Sequence, residues 1–181
     1  MDMKLGNFEI VPAIKRPDLV APSTASMISE IENNSQIGVT EIDPTLSDTS
    51  AFCEKYNISP EITANCVIIE AKRGENKQFV ACVVLATTRA DVNGLVRRTL
   101  DARKASFASM EQAVTESGME YGGITAIGLP KTWTIFIDSK IVELPQVVIG
   151  SGIRKSKIIL PGKILANLPN AQVLKGLGQI K

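Results

Sequence analysis

Runs of apolar residues alternate along the chain with polar, capped stretches. Cys66-Val67-Ile68-Ile69-Glu70 and Phe79-Val80-Ala81-Cys82-Val83-Val84-Leu85 are β-branched runs joined by the polar turn Lys72–Asn76. That pattern predicts an antiparallel hairpin of central strands, apolar on both faces. Trp133–Ile137, Gln146–Ile149, Lys157–Leu160 and Ala171–Leu174 read as later strands, and Gly38–Ile42 as an early short one. Helical spacing predicts helices over Ser23–Asn33, from the caps Ser47–Ser50 through Tyr56, from Val92 to Leu100, from Ser109 to Gly118, and over Lys163–Leu168. Thr88-Arg89-Ala90-Asp91 and Ser109-Met110-Glu111-Gln112 both fit a capping box, and Gly118 suits the left-handed position after a helix. The outer face of the Val92–Leu100 helix carries Arg97, Arg98 and Arg103. Lys104-Ala105-Ser106-Phe107 reads as a linker between helices, whose Lys104 either meets solvent or contacts phosphate. Pro12, Pro17 and Pro22 make the first residues an extended arm. The order of elements predicts an α+β fold: a mixed, barrel-like β-sheet surrounded by helices.

At 181 residues, 44% of them apolar, one domain with a terminal extension is expected. No stretch approaches the 18 apolar residues of a membrane span. Met1–Lys15 contains no apolar h-region, so a cytoplasmic setting is expected. The chain has no histidine. This excludes Ser-His-Asp and Cys-His catalytic sets and histidine-bound zinc. Cys53, Cys66 and Cys82 are odd in number and widely spaced, which argues against a disulfide framework or thiolate cluster. Cys66 would be a nucleophile only with a nearby lysine to stabilise its thiolate. The net charge of +1 hides a gradient: residues 1–64 sum to −6, 65–149 to +1 and 150–181 to +6. Such asymmetry arises when opposite ends pack together, or when one end meets an anionic partner such as nucleic acid.

Candidate chemistry concentrates in glycine-rich segments. Gly122-Gly123-Ile124-Thr125-Ala126-Ile127-Gly128-Leu129-Pro130 and Gly150-Ser151-Gly152 are either tight turns or loops whose backbone N–H groups approach a ligand. Neither is a P-loop or a dinucleotide fingerprint. Asp138 ends an apolar strand, where it either caps the next turn or accepts from a substrate amine or hydroxyl. Arg154, Lys155 and Lys157 form a basic cluster beside the second glycine loop.

In this order, the segments Gly118–Pro130, Trp133–Asp138, Val147–Arg154 and Lys157–Leu160 resemble the YbaK/EbsC-like, prolyl-tRNA-synthetase-associated editing domains, over about residues 59–177. The first segment is similar to their TG…GG-x-[ST]-P-x-G loop. The resemblance implies residues 46–181 as the editing domain and 1–45 as an extension packed on it. It implies a trans-acting deacylase that hydrolyses the ester of mischarged tRNA with a positioned water and no metal or organic cofactor. tRNA is the implied partner, through its aminoacylated 3′ end, and a homodimer is left open. Asp138, Gly122 and Gly123 become the implied catalytic positions. Asn65, Lys104, Thr125, Ala126, Ile127, Gly128, Gly150, Ser151, Gly152 and Arg154 become the implied substrate-binding positions. Two residues depart from the family pattern: Asn65 falls where the family has a lysine, and Ala126 where its loop has a proline. Asparagine hydrogen-bonds but carries no charge. Lys104 and Arg154 are the candidate replacement cations, and the alternative is a non-catalytic module that binds tRNA or a nucleotide.

Overall fold

The computed structural model describes residues 3–180. The predicted hairpin is there and longer than the apolar runs alone. β3 (Ala64–Arg73) pairs antiparallel with β4 (Asn76–Leu85) through ten residue pairs. Gly74 turns the chain at φ +61°, which shortens the loop to two residues. Before it come β1 (Val11–Pro12), α1 (Pro22–Glu30), β2 (Gly38–Glu41) and α2 (Thr49–Tyr56). After it come β5 (Thr88–Ala90), α3 (Arg97–Thr99), β6 (Lys104–Phe107), α4 (Met110–Ser117), β7 (Thr134–Asp138), α5 (Ser139–Val142), β8 (Val147–Gly150), β9 (Ser156–Leu160), α6 (Gly162–Ala166), β10 (Ala171–Leu174) and β11 (Gly178–Ile180).

These strands form two main sheets, β1-β2-β9-β8 and β10-β7-β4-β3-β6, plus the pair β11-β5. The first is antiparallel throughout. The second is mixed, because β7 lies parallel to both β4 and β10. The fold is α+β as expected, but no barrel closes. Among the described residues the two main sheets touch by strand pairing only at the parallel bridge Thr63↔Val148, and the outer edges of both remain unpaired.

The main core lies between the inner faces of the two sheets, with Ile68, Ala81, Val83, Ile135 and Ile137 from one and Val39, Val147, Ile149, Ile158 and Leu160 from the other. A second core, around Val80, Cys82, Val92, Val96 and Phe136, lies on the outer face of the mixed sheet. A third covers the outer face of the antiparallel sheet, where Phe52 of α2 meets Val148 and Ile159. Strand alternation explains the layers: Ile158 points into the main core and Ile159 out to α2.

Two expectations change. Thr88–Ala90 is a strand rather than a capping box, because β11 supplies backbone partners for it. Asp91 is the cap instead: its carboxylate accepts from the N–H groups of Gly94 (3.0 Å) and Leu95 (2.8 Å). A side chain on Gly94 would collide with that carboxylate. The turn that follows is wide, with the Val96 N–H reaching back five residues to the Asp91 carbonyl. Lys104–Phe107 is also a strand, not a linker, since it finds β3 as a partner. The Ser109 capping box is present with both reciprocal bonds, and Gly118 ends α4 at φ +67°.

Thr125, Ala126 and Ile127 are buried beneath α1, and Thr24 Oγ1 donates to the Ile127 carbonyl at 2.8 Å. Gly128, at φ +93°, lets the loop pass the backbone of Ser23 and Thr24, where a Cβ would lie about 2.5 Å from the Ser23 carbonyl carbon. Gly128→Ala is therefore expected to destabilise the protein by about 2 kcal/mol or more, through strain at positive φ and steric clash. Urea denaturation reads the loss, and limited proteolysis should show earlier cutting near α1.

Candidate functional site

One large cleft, of about 800 Å³, opens beside α2, the first residues of β3 and the two glycine loops. Its wall includes Ser47, Thr49, Asn65, Gly122, Gly150, Arg154 and Lys157. Asp48 starts α2 by accepting from the N–H groups of Ser50 and Ala51, which sets Thr49 at the first turn of the helix. The Thr49 hydroxyl donates to Asn65 Oδ1 at 2.5 Å. The Asn65 carbonyl oxygen is thereby occupied, and its Nδ2 group is the donor left for a ligand.

Lys157 is the electrostatic centre of this cleft. It stands on β9 between Ser156 and Ile158, on the outer face of the sheet, and only 3% of it is exposed. Its Nζ donates to the Ser47 carbonyl at 2.7 Å and lies 5.4 Å from the centre of the Phe52 ring. Burial pushes its pKa down to about 8, against the opposing pull of Asp48 and Cys53. The side chain is thus a cation at neutral pH, held in place without an ion pair among the described residues.

The glycine loops form one wall by packing backbone on backbone. The Gly152 N–H donates to the Gly123 carbonyl (2.7 Å), and the Glu120 N–H to the Gly152 carbonyl (2.9 Å). A Cβ on Gly123 would sit 2.5 Å from the Ile153 carbonyl oxygen, and one on Gly150 as close to the Gly123 carbonyl oxygen. Gly122, at φ +84°, faces the Ser47 hydroxyl, 2.8 Å from where a Cβ would stand, and its positive φ is what favours glycine there. Arg154 closes the rim: its guanidinium donates to the Pro44 carbonyl at 3.2–3.3 Å, and its N–H to Glu120 Oε2 at 2.6 Å.

The positions expected from the sequence therefore separate into three groups. Asn65, Gly122, Gly150 and Arg154 line the cleft. Gly123, Ser151 and Gly152 support its wall. Ser151 is fully buried, its hydroxyl donating to backbone carbonyls at Ile153 and Ser156. Thr125, Ala126, Ile127 and Gly128 lie under α1. Asp138 and Lys104 are elsewhere. Asp138 is 2% exposed and caps α5, accepting from the Lys140 N–H (2.9 Å) and the Gly178 N–H (2.5 Å). It does not line the cleft, and both its oxygens are engaged. Lys104 sits on β6 opposite Lys72, seven residues along β3 from Asn65. Ser47 and Thr49 are missed as site residues, and Lys157, expected in a basic cluster beside the second glycine loop, is in the cleft but buried. Lys157 had a sequence signal, being a charge inside an otherwise apolar strand. Cys66 lines the cleft, but burial pushes its thiol up to about 12, so it stays protonated and is no nucleophile at neutral pH.

A family model for the aminoacyl-tRNA editing domain matches residues 43–168. The chain belongs to this family. The editing domain shares its fold with a crystal structure of a candidate trans-editing enzyme for prolyl tRNA synthetase, at TM-score 0.70 and 16% identity, covering 88% of this chain and 99% of that one. A scaffold protein for epitope backbone grafting by computational design matches at TM-score 0.73 and 16% identity, over 88% and 97% of the two chains. The hypothetical protein APE2540 matches at TM-score 0.69 and 15% identity, over 78% and 90%. No curated protein matches the editing domain by sequence. Among its described residues no helix is long and apolar enough to cross a membrane, and no group of three or more Cys, Asp or Glu is placed to hold a metal ion.

Two substitutions separate cleft from scaffold. The unfolded chain keeps the Lys157 proton to about pH 10.5 and the folded chain releases it near 8. Unfolding therefore takes up protons in this window, and the Lys157 contribution to stability rises from pH 8 to 10.5, by up to about 3 kcal/mol. Lys157→Met should raise stability at pH 7 by about 1–3 kcal/mol and abolish that rise, as urea melts at pH 7 and pH 10 would show. Asp138→Ala should instead cost about 3 kcal/mol, because two backbone donors lose a carboxylate partner.

Proposed function

We propose that this editing domain is a trans-acting deacylase that hydrolyses the ester between a wrong amino acid and the 3′ end of tRNA. The observation that carries the reading is the cation of Lys157, buried in the one large cleft of the family-matched region. Burying a charge without an ion-pair partner opposes folding. A position that retains one is suited to binding an oxygen that is, or becomes, negative.

The reaction needs little beyond such positioning. A water adds to the ester carbonyl carbon, and the carbonyl oxygen takes up negative charge. The bond to the ribose oxygen then breaks as the carbonyl re-forms, and that oxygen leaves as the free hydroxyl with the proton given up by the attacking water. Lys157 supplies positive charge to the developing oxyanion, and Asn65 Nδ2 a neutral donor. Gly122 and Gly150 keep the wall thin enough for the backbone to lie against the substrate. No histidine is called for. The positive charge that a lysine at position 65 would bring comes here from β9, across the cleft from Asn65, with Arg154 at the rim.

Incubation with a panel of mischarged tRNAs tests the reading directly. Wild-type protein should release amino acid from at least one of them, and Lys157→Met should lower kcat/KM by about 10²–10³-fold, the usual loss for one oxyanion donor. The enzymatic rate above background should fall as pH rises through about 8, where Lys157 gives up its proton. Absence of turnover on every tRNA, with tRNA still bound, would replace the deacylase by a non-catalytic binding module, the alternative that Asn65 in the lysine position favours.

A further inference from the structure

At the end of β3 remote from the cleft, three strands carry lysines side by side. Lys72 is directly opposite Lys77 on β4 and Lys104 on β6. Opposed residues in antiparallel strands share a face at about 5 Å between Cβ atoms, where like charges repel. Glu70, two residues back on the same face, relieves part of this, bonding Lys72 at 2.6 Å and Lys77 at 2.7 Å. Lys104 has no such partner among the described residues. The chain just before it adds Arg97, Arg98 and Arg103, all exposed and, among the described residues, outside any ion pair. Asp101, the acid within that stretch, is taken by Arg73.

Backbone contacts bring the two segments to one end of the sheet, with Lys72, Lys77 and Lys104 on its core-side face and Arg97 and Arg98 on the turn and helix that cover the other. The Arg103 N–H donates to the Lys72 carbonyl at 2.9 Å, and Arg73 Nη1 to the Asp101 carbonyl at 3.0 Å. Residues 70–77 and 97–104 hold seven basic and three acidic side chains, or +4 on a chain whose total is +1. The folded contacts do not call for this excess, since the buried partners here are Ile69, Ala71 and Ala105. Concentrated charge of one sign destabilises a compact state and attracts a polyanion.

We infer that this end of the mixed sheet is a second contact surface, taking the phosphate backbone of the RNA whose 3′ end occupies the cleft. The inference rests on the reading of the cleft given above. Lys72 stands seven residues beyond Asn65 on one strand, a separation of ~23 Å at 3.3 Å per residue. An amino acid or a single nucleotide held in the cleft does not span that length, and a polynucleotide does. β3 is then a rigid spacer between a pocket that reads the aminoacylated end and cations that position the rest without reading sequence.

Binding of unfractionated, uncharged tRNA to the full chain, followed by fluorescence anisotropy across a salt series, tests this. Uncharged tRNA reports on the surface whether or not the cleft hydrolyses an ester, so failure here and failure of the deacylase assay are separate results. Arg98→Gln/Arg103→Gln/Lys104→Gln should weaken binding about tenfold or more at 0.1 M salt. It should also make the log Kd against log salt slope shallower by about 2, since each lost phosphate contact removes ~0.7–0.9 from it. The pair Arg98→Gln/Arg103→Gln should show a smaller change in the same direction. A charge-matched control, Lys15→Gln/Lys163→Gln/Lys175→Gln, alters exposed lysines elsewhere and should leave the slope in place. An unchanged slope in the triple variant, or an equal loss in the control, overturns the inference.

Discussion

The cleft exists because two loops meet with no side chains between them. The Gly122–Gly123 loop precedes the strand β7 of the mixed sheet, and Gly150–Gly152 leaves β8 of the antiparallel one. Their carbonyls and N–H groups bond each other directly at 2.7 and 2.9 Å. Cβ atoms at Gly123 or Gly150 would fall within 2.5 Å of backbone oxygen. Backbone cannot swing aside as a side-chain end can, so the contact tolerates no larger residue. It sets how far apart the two sheets stand at this end, and hence the width of the space in which Lys157 and Asn65 face a ligand. Ser151, buried and bonded to two carbonyls beneath the loop, keeps the same geometry from below.

The chain reveals its scaffold better than its site. The hairpin β3–β4, the Ser109 capping box and the glycine after α4 are local events, written in apolar runs and cap residues. What escaped depends on partners distant in sequence. Thr88 resembled a helix cap until β11, ninety residues later, gave it a strand to pair with. Lys104–Phe107 is too short and too polar to declare itself as a strand without β3 alongside. The glycines signalled a close approach correctly, yet only Gly122 and Gly150 of that group face the cleft, because loop sequence does not say which side of a loop is wet. Asp138 stood at the right kind of place for chemistry, the end of an apolar strand. Two N–H groups claim it first.

Electrostatics divide along similar lines. The positive excess at the C-terminal end of the sequence marks Arg154 and Lys157 at the cleft. The middle third, nearly neutral in total, conceals a concentrated +4 made by folding residues 97–104 onto the hairpin end. Lys157 and the exposed patch work by different physics. The first is strong because water is excluded around it, and it is largely indifferent to salt. The second acts at longer range and fades as ionic strength rises.

The Asp138–Gly178 bond bears on how the chain is made. Forty residues separate the carboxylate from its second donor. During synthesis Asp138 leaves the ribosome well before Gly178 does, and a carboxylate short of a hydrogen-bond donor is costly to bury. Asp138 therefore has its full set of donors only once β11 lies against β5. The docking of β11 is thus what dries this corner, through a carboxylate set in place forty residues earlier in the chain.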